Sequence, residues 1–175
     1  MTREYPDEPA GDFPAPPVEF DDGEGRRIRI TESTTDDREP LTAMYRQFDP
    51  EDRAQGIPPV GEARIREWLD ALLAEGSVGA VARHEDQGQP VGHAVLVPDA
   101  EGAYELAIFV LQEFQGAGIG TNLLEALLGL ARREGVERVW LSVERWNSAA
   151  IRLYERTGFE RVGRQGFELE MTIRL

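Results

Sequence analysis

Thirty residues, Tyr104 to Arg133, constrain the fold more than any other part of the chain. Leu106 to Leu111 is a short continuous apolar run of branched and aromatic residues, the pattern of a strand covered on both faces. Gln115-Gly116-Ala117-Gly118-Ile119-Gly120 follows as a glycine-rich turn. Leu123, Leu124, Leu127, Leu128 and Ala131 then recur at spacings of three and four, which predicts an amphipathic helix with Thr121 and Asn122 in its first turn. Glycines at a helix start let backbone N–H groups approach a ligand, and those groups with the helix dipole favour an anion such as a pyrophosphate. A P-loop would need Gly-Lys-Ser/Thr, but Gly120 is followed by Thr121 and Asn122. A dinucleotide fingerprint would need G-x-G-x-x-G, whereas Gly116, Gly118 and Gly120 alternate.

The spacing Gln115-x-x-Gly118-x-Gly120 resembles the acetyl-CoA signature Q/R-x-x-G-x-G/A of the GNAT superfamily of acyl-CoA-dependent N-acetyltransferases. Downstream, the run from Asn147 to Phe159, NSAAIRLYERTGF, is similar to that family's second motif, N-x-x-A-x-x-L-Y-x-x-x-G-F. The two motifs stand in the family's order, and the resemblance covers roughly residues 26 to 175. It implies an α/β (α+β) GNAT fold: a mixed central sheet of about six or seven strands with about four helices, splayed between its fourth and fifth strands.

The rest of the chain reads consistently with that plan. Residues 1–25, rich in Pro, Asp, Glu and Gly, bury too little apolar area to offset ordering entropy and read as an extended or disordered arm. Residues 26–175 form a single domain. A first strand runs from Arg26 to Ile30, and a helix reaches about Phe48 with Pro40 in its first turn. A second helix spans Glu62 to Ala74, and strands cover Val78 to Arg83 and Pro90 to Val97. Gly135 closes the long helix and Arg138 to Glu144 is a strand. A helix from Ser148 to Arg156 and two closing strands complete the order β-α-α-β-β-β-α-β-α-β-β. In the GNAT fold the first two helices and their joining loop line the acceptor side, so residues 49–59 are a candidate gating loop.

Composition narrows the function. A net charge of −14 argues against general nucleic-acid binding, and no apolar run approaches a membrane span. There is no cysteine, hence no disulfide, thiolate metal site or thiol nucleophile. No metal site is expected, His84 and His93 being lone strand histidines, and a cytoplasmic location is the default. All 19 basic residues are arginine, which with the acidic balance suits a halophile-like protein.

Amine acetylation needs a neutral amine, although a lysine amine titrates near 10.4, a polarised thioester oxygen and a proton for the departing sulfur. The resemblance places Tyr154, seven residues after Asn147, beside the sulfur as the acid. Glu105 is the candidate base: a carboxylate entering an apolar strand is costly to bury. Tyr104-Glu105-Leu106-Ala107 also resembles the A-E-x-A of Pat-type protein lysine acetyltransferases. Glu144 is a secondary candidate. Ribosomal N-terminal acetyltransferases carry a glutamate where this chain has Ser142, which disfavours that subgroup. For the co-substrate acetyl-CoA, the resemblance implies backbone contacts to the pantetheine at Ile108, Phe109 and Val110. It implies a pyrophosphate cradle over Gln115, Gly116, Ala117, Gly118, Ile119, Gly120 and Thr121, and a contact from Asn147. The turn lacks the family's frequent Arg or Lys. The expected activity is transfer of an acetyl group to a primary amine, either a protein lysine or a small molecule. The competing reading is an acyl-CoA sensor without turnover, and a homodimer is a family-based expectation.

Overall fold

The structure is a computed structural model that describes residues 2–49, 51 and 57–175. Among the described residues, one eight-stranded sheet carries four α-helices. The elements are β1 (Val18–Asp21), β2 (Arg27–Glu32), α1 (Arg38–Tyr45), α2 (Glu62–Leu72), β3 (Val78–His84), β4 (Pro90–Pro98) and β5 (Tyr104–Val110), followed by α3 (Ile119–Arg133), β6 (Arg138–Glu144), α4 (Ser148–Thr157), β7 (Glu160–Gln165) and β8 (Glu168–Arg174). The strand order is β1-β2-β3-β4-β5-β6-β8-β7, antiparallel throughout except for the β5–β6 pair. The predicted element order holds from β2 onward. The additional strand is β1, which lies within the acidic arm and pairs Val18 with Ile30 and Phe20 with Ile28. Its four residues, VEFD, alternate apolar and acidic, so one face packs while the other stays wet.

Each helix follows from its apolar period. In α3, Leu123, Leu124, Leu127 and Leu128 are fully buried against β2 to β5, each contributing roughly 1.5–3 kcal/mol. A short 3₁₀ turn at Thr35–Asp37 precedes α1; the Asp37 carboxylate accepts the Thr34 N–H at 2.8 Å and pairs with Arg83. Leu41, Met44 and Tyr45 of α1 and Ile65 and Leu69 of α2 pack on the opposite face of the sheet from α3. The candidate gating loop at 49–59 falls largely outside the described residues.

The arm is held by backbone hydrogen bonds as well as by the packing of Ala10, Phe13, Val18 and Phe20 on the core. Thr172 Oγ1 donates to the Glu4 carbonyl at 2.9 Å and Arg174 Nε to the Pro6 carbonyl at 2.6 Å. Arg132, at the end of α3, donates to the carbonyls of Ala10 and Gly11. Phe13 and Pro14 then cross α3 at Gly129, where an added Cβ would lie 2.6 Å from the Pro14 oxygen. No helix among the described residues is long and apolar enough to cross a membrane, and none of their His, Asp and Glu side chains gather as a metal-holding group.

Candidate active site

The site begins where two strands part. β5 and β6 pair only at Tyr104↔Val139 and Glu105↔Trp140; beyond that register they diverge. Leu111 N–H donates to the Val91 carbonyl at 2.9 Å, and that bond sets the alternation of the β4–β5 ladder. Residues 105, 107 and 109 bond to β4, while Ile108 and Val110 turn their N–H and C=O groups into the opening. The Val110 carbonyl receives the Gln115 side-chain amide at 2.9 Å. The divergence therefore leaves peptide groups of β5 free to pair with an extended ligand arm.

Side chains alternate the other way. Glu105, Ala107 and Phe109 share the face toward α1 and α2, in register with Val97, Val95 and His93. Phe109 stands edge-on to Tyr45 at 5.5 Å, Trp68 at 5.6 Å and Phe48 at 6.2 Å. Helical spacing in the sequence sets Tyr45 and Phe48 on one stripe and Trp68 on the apolar face of the next helix, as core or cleft wall; their meeting with Phe109 joins separated segments and was not legible. Behind it, the Tyr45 hydroxyl and His93 Nδ1 share a fully buried 2.6 Å hydrogen bond.

The turn after β5 is built for an anion. Gly116 (φ 74°) and Gly118 (φ 89°) are left-handed, and a Cβ at either would meet nothing within 4 Å, so conformation rather than crowding demands glycine. Gly120 is helical, and its Cβ would lie 3.6 Å from Leu153, letting α3 and α4 approach. The first turn of α3 carries no acidic residue, which leaves its positive end unopposed. Ile119 is buried in the core, so it can offer only backbone. Gly23 N–H donates to the Ala117 carbonyl at 2.9 Å, bracing the turn with the β1–β2 hairpin. From that hairpin Arg26 stacks over Phe114 at 4.2 Å, pairs with Asp22 at 2.7 Å and donates to the Glu113 carbonyl at 3.2 Å. An arginine thus stands at the entry to the turn although none lies within it.

Asn147 caps α4, its Oδ1 accepting the Ala150 N–H at 3.2 Å. Two turns later Tyr154 is buried, edge-on to Phe159 at 5.8 Å, and burial pushes its phenol up to about 12. Among the described residues its hydroxyl has no hydrogen-bond partner.

These elements enclose one cleft of about 450 Å³. Glu105, Ile108, Phe109, Val110, Gln115, Asn147 and Tyr154 all line it, as do Glu144 and Ser142, with Phe48 and Trp68 on the far wall. Gly116, Ala117, Gly118, Ile119, Gly120 and Thr121 do not line it; they form the turn that follows Gln115. Solvent reaches Glu105, yet desolvation by the walls raises its carboxyl above the ordinary value. Arg3 of the arm opposes that rise, while Asp99, Glu168 and Glu170 add to it. Trp146 lies outside the cleft, 63% exposed against Phe167.

The unpaired strand edge, the glycine turn with its acid-free helix start and the capping asparagine fit the arm and phosphates of coenzyme A. The sequence matches the profile of the acetyltransferase (GNAT) family over residues 41–159. It is 32% identical over 107 residues to an L-methionine sulfoximine/L-methionine sulfone acetyltransferase of Pseudomonas paraeruginosa, covering 58% of this chain and 62% of that one. It is 35% identical over 147 residues to a mycothiol acetyltransferase of Geodermatophilus obscurus, covering 79% of this chain but 46% of that protein. The chain therefore spans less than half of that relative. In structure it is similar to the GNAT domain of S. lividans PAT, with a TM-score of 0.75, 20% identity and coverage of 90% and 96%. That likeness is one of fold. The chain belongs to the acetyltransferase (GNAT) family and is an acetyl-CoA-dependent N-acetyltransferase.

Proposed function

We propose that the enzyme acetylates the primary amine of a small molecule by direct attack, with Glu105 as base and Tyr154 as proton donor. One observation carries this reading: the two side chains line a single cleft at the β5–β6 divergence, beside the open peptide groups of Ile108 and the Val110 N–H. The small acceptor is supported by the enclosing aromatic wall and by relatives named for methionine sulfoximine and mycothiol.

Acetyl-CoA supplies the acetyl thioester. The backbone of Gly116 to Thr121 and the start of α3 hold its pyrophosphate. Ile108 and Val110 hold its arm, Asn147 steadies that arm, and the Val110 N–H faces the acyl oxygen. Glu105 takes a proton from the acceptor ammonium through a water, and its raised pKa narrows the gap to an amine near 10.4. The amine nitrogen then bonds the acyl carbon as the carbon–sulfur bond breaks. Tyr154, fully protonated at neutral pH, donates to the departing sulfur and is refilled from the second proton the nitrogen sheds.

Glu105→Gln tests the base. The expected result is a fall in kcat/KM of about 100-fold with acetyl-CoA affinity unchanged. In the parent, activity is lost as pH falls through the Glu105 pKa, above the usual carboxylate range, and the variant lacks that limb. Full activity with the same limb in Glu105→Gln contradicts the assignment.

A further inference from the structure

We propose that Trp140 and Glu170 form a subsite for a second positive charge on the acceptor, a site that Arg3 fills in the free protein. The inference deepens the acetyltransfer reading and rests on it: the acceptor is a diamine or another dibasic amine.

The subsite is a built cation receptor. The Arg3 guanidinium lies 3.5 Å from the centroid of the Trp140 ring, and its Nε donates to Glu170 Oε1 at 2.9 Å. An aromatic face with a carboxylate at its rim is the arrangement that holds ammonium and guanidinium groups. The indole is fixed from its other side, Trp140 Nε1 donating to Asp99 Oδ2 at 2.9 Å. The receptor also shares two edges with the cleft. Trp140 is the register partner of Glu105, and Glu170 is the register partner of Ser142, both cleft residues. Neighbouring strands lie about 4.8 Å apart, so one short diamine can present an amine at Glu105 while its second charge reaches Trp140.

Arg3 is not needed to hold the arm. Glu4, Pro6 and Ala10 are anchored by their own backbone bonds to Thr172 and Arg174. Its guanidinium therefore occupies a site that an acceptor cation can take without unfolding the segment.

Calorimetric titration of the CoA-loaded protein with putrescine and with butylamine tests this, because it reads binding whether or not an acetyl group moves. Arg3→Ala is expected to tighten putrescine binding by about fivefold and leave butylamine unchanged. Adding Glu170→Gln or Trp140→Leu to Arg3→Ala is expected to cancel the gain. Equal affinities for the two amines in Arg3→Ala overturn the proposal, as does a putrescine preference that survives both second substitutions. A putrescine preference with no acetyl transfer to either amine upholds the subsite and overturns the proposed function instead.

Discussion

At the scale of single residues, burial drives the site's titrating groups in different directions. Burial disfavours charge on any group, so it raises Tyr154 and Glu105 and lowers His93. His93 is completely buried and held to about 4, with Asp37 opposing the shift weakly. Its folded pKa lies below the unfolded value of 6.5, so below pH 6.5 the unfolded chain takes up a proton that the fold refuses. Stability is therefore lost as pH falls from 6.5 toward 4. Urea unfolding of the parent is expected to lose about 3 kcal/mol more between pH 7 and pH 4 than that of His93→Gln. Equal losses would show that the Tyr45–His93 pair is not the buried neutral pair described. Of these residues, Glu105 and Tyr154 were legible in sequence because a carboxylate in an apolar strand and a tyrosine in a spaced motif each break a local pattern. His93 looked like any strand histidine. Its pairing with Tyr45 joins residues 48 positions apart, and no local period encodes that.

Among the elements, those with a strong period were read almost to the residue. The long helix, its glycine stop and the strand after it agree with α3, Gly135 and β6, since each rests on apolar spacing or backbone chirality. The arm is the opposite case. Many of its attachments run through the carbonyls of Glu4, Pro6, Ala10 and Gly11, which every residue type possesses, so those bonds leave no side-chain signature. One sequence trace of that path is Gly129, a glycine inside an otherwise strong helix. Gly129→Ala places a Cβ 2.6 Å from Pro14 O and 2.7 Å from Phe13 O. Displacing that backbone costs about 1–3 kcal/mol, against a helix-propensity gain of about 1 kcal/mol. The expected outcome is net destabilisation with faster amide exchange in residues 10–13. A variant more stable than the parent would mean that the arm does not cross α3 here.

For the whole molecule, function follows from one defect in an otherwise continuous sheet. Four antiparallel pairings hold β1 to β5 in register, and β6 to β8 form a second block; the two meet through only two residue pairs. The opening that results carries free peptide groups on one wall, an aromatic wall toward α1 and α2, and Tyr154 on α4. The two sequence motifs mark its cofactor half, so that half was visible in advance. Of the acceptor half, the resemblance marked only the two helices α1 and α2; the proposed contributions of β6, β8 and the arm were not visible, because Arg3, Trp140 and Glu170 lie far apart in the chain. The crystal structure of the complex with acetyl-CoA tests the central claim most directly. The predicted result has the pantetheine paired with the peptide groups of Ile108 and Val110, and the thioester sulfur within about 3.5 Å of the Tyr154 hydroxyl. A pantetheine lying outside the β5–β6 opening, or a sulfur remote from Tyr154, would contradict it.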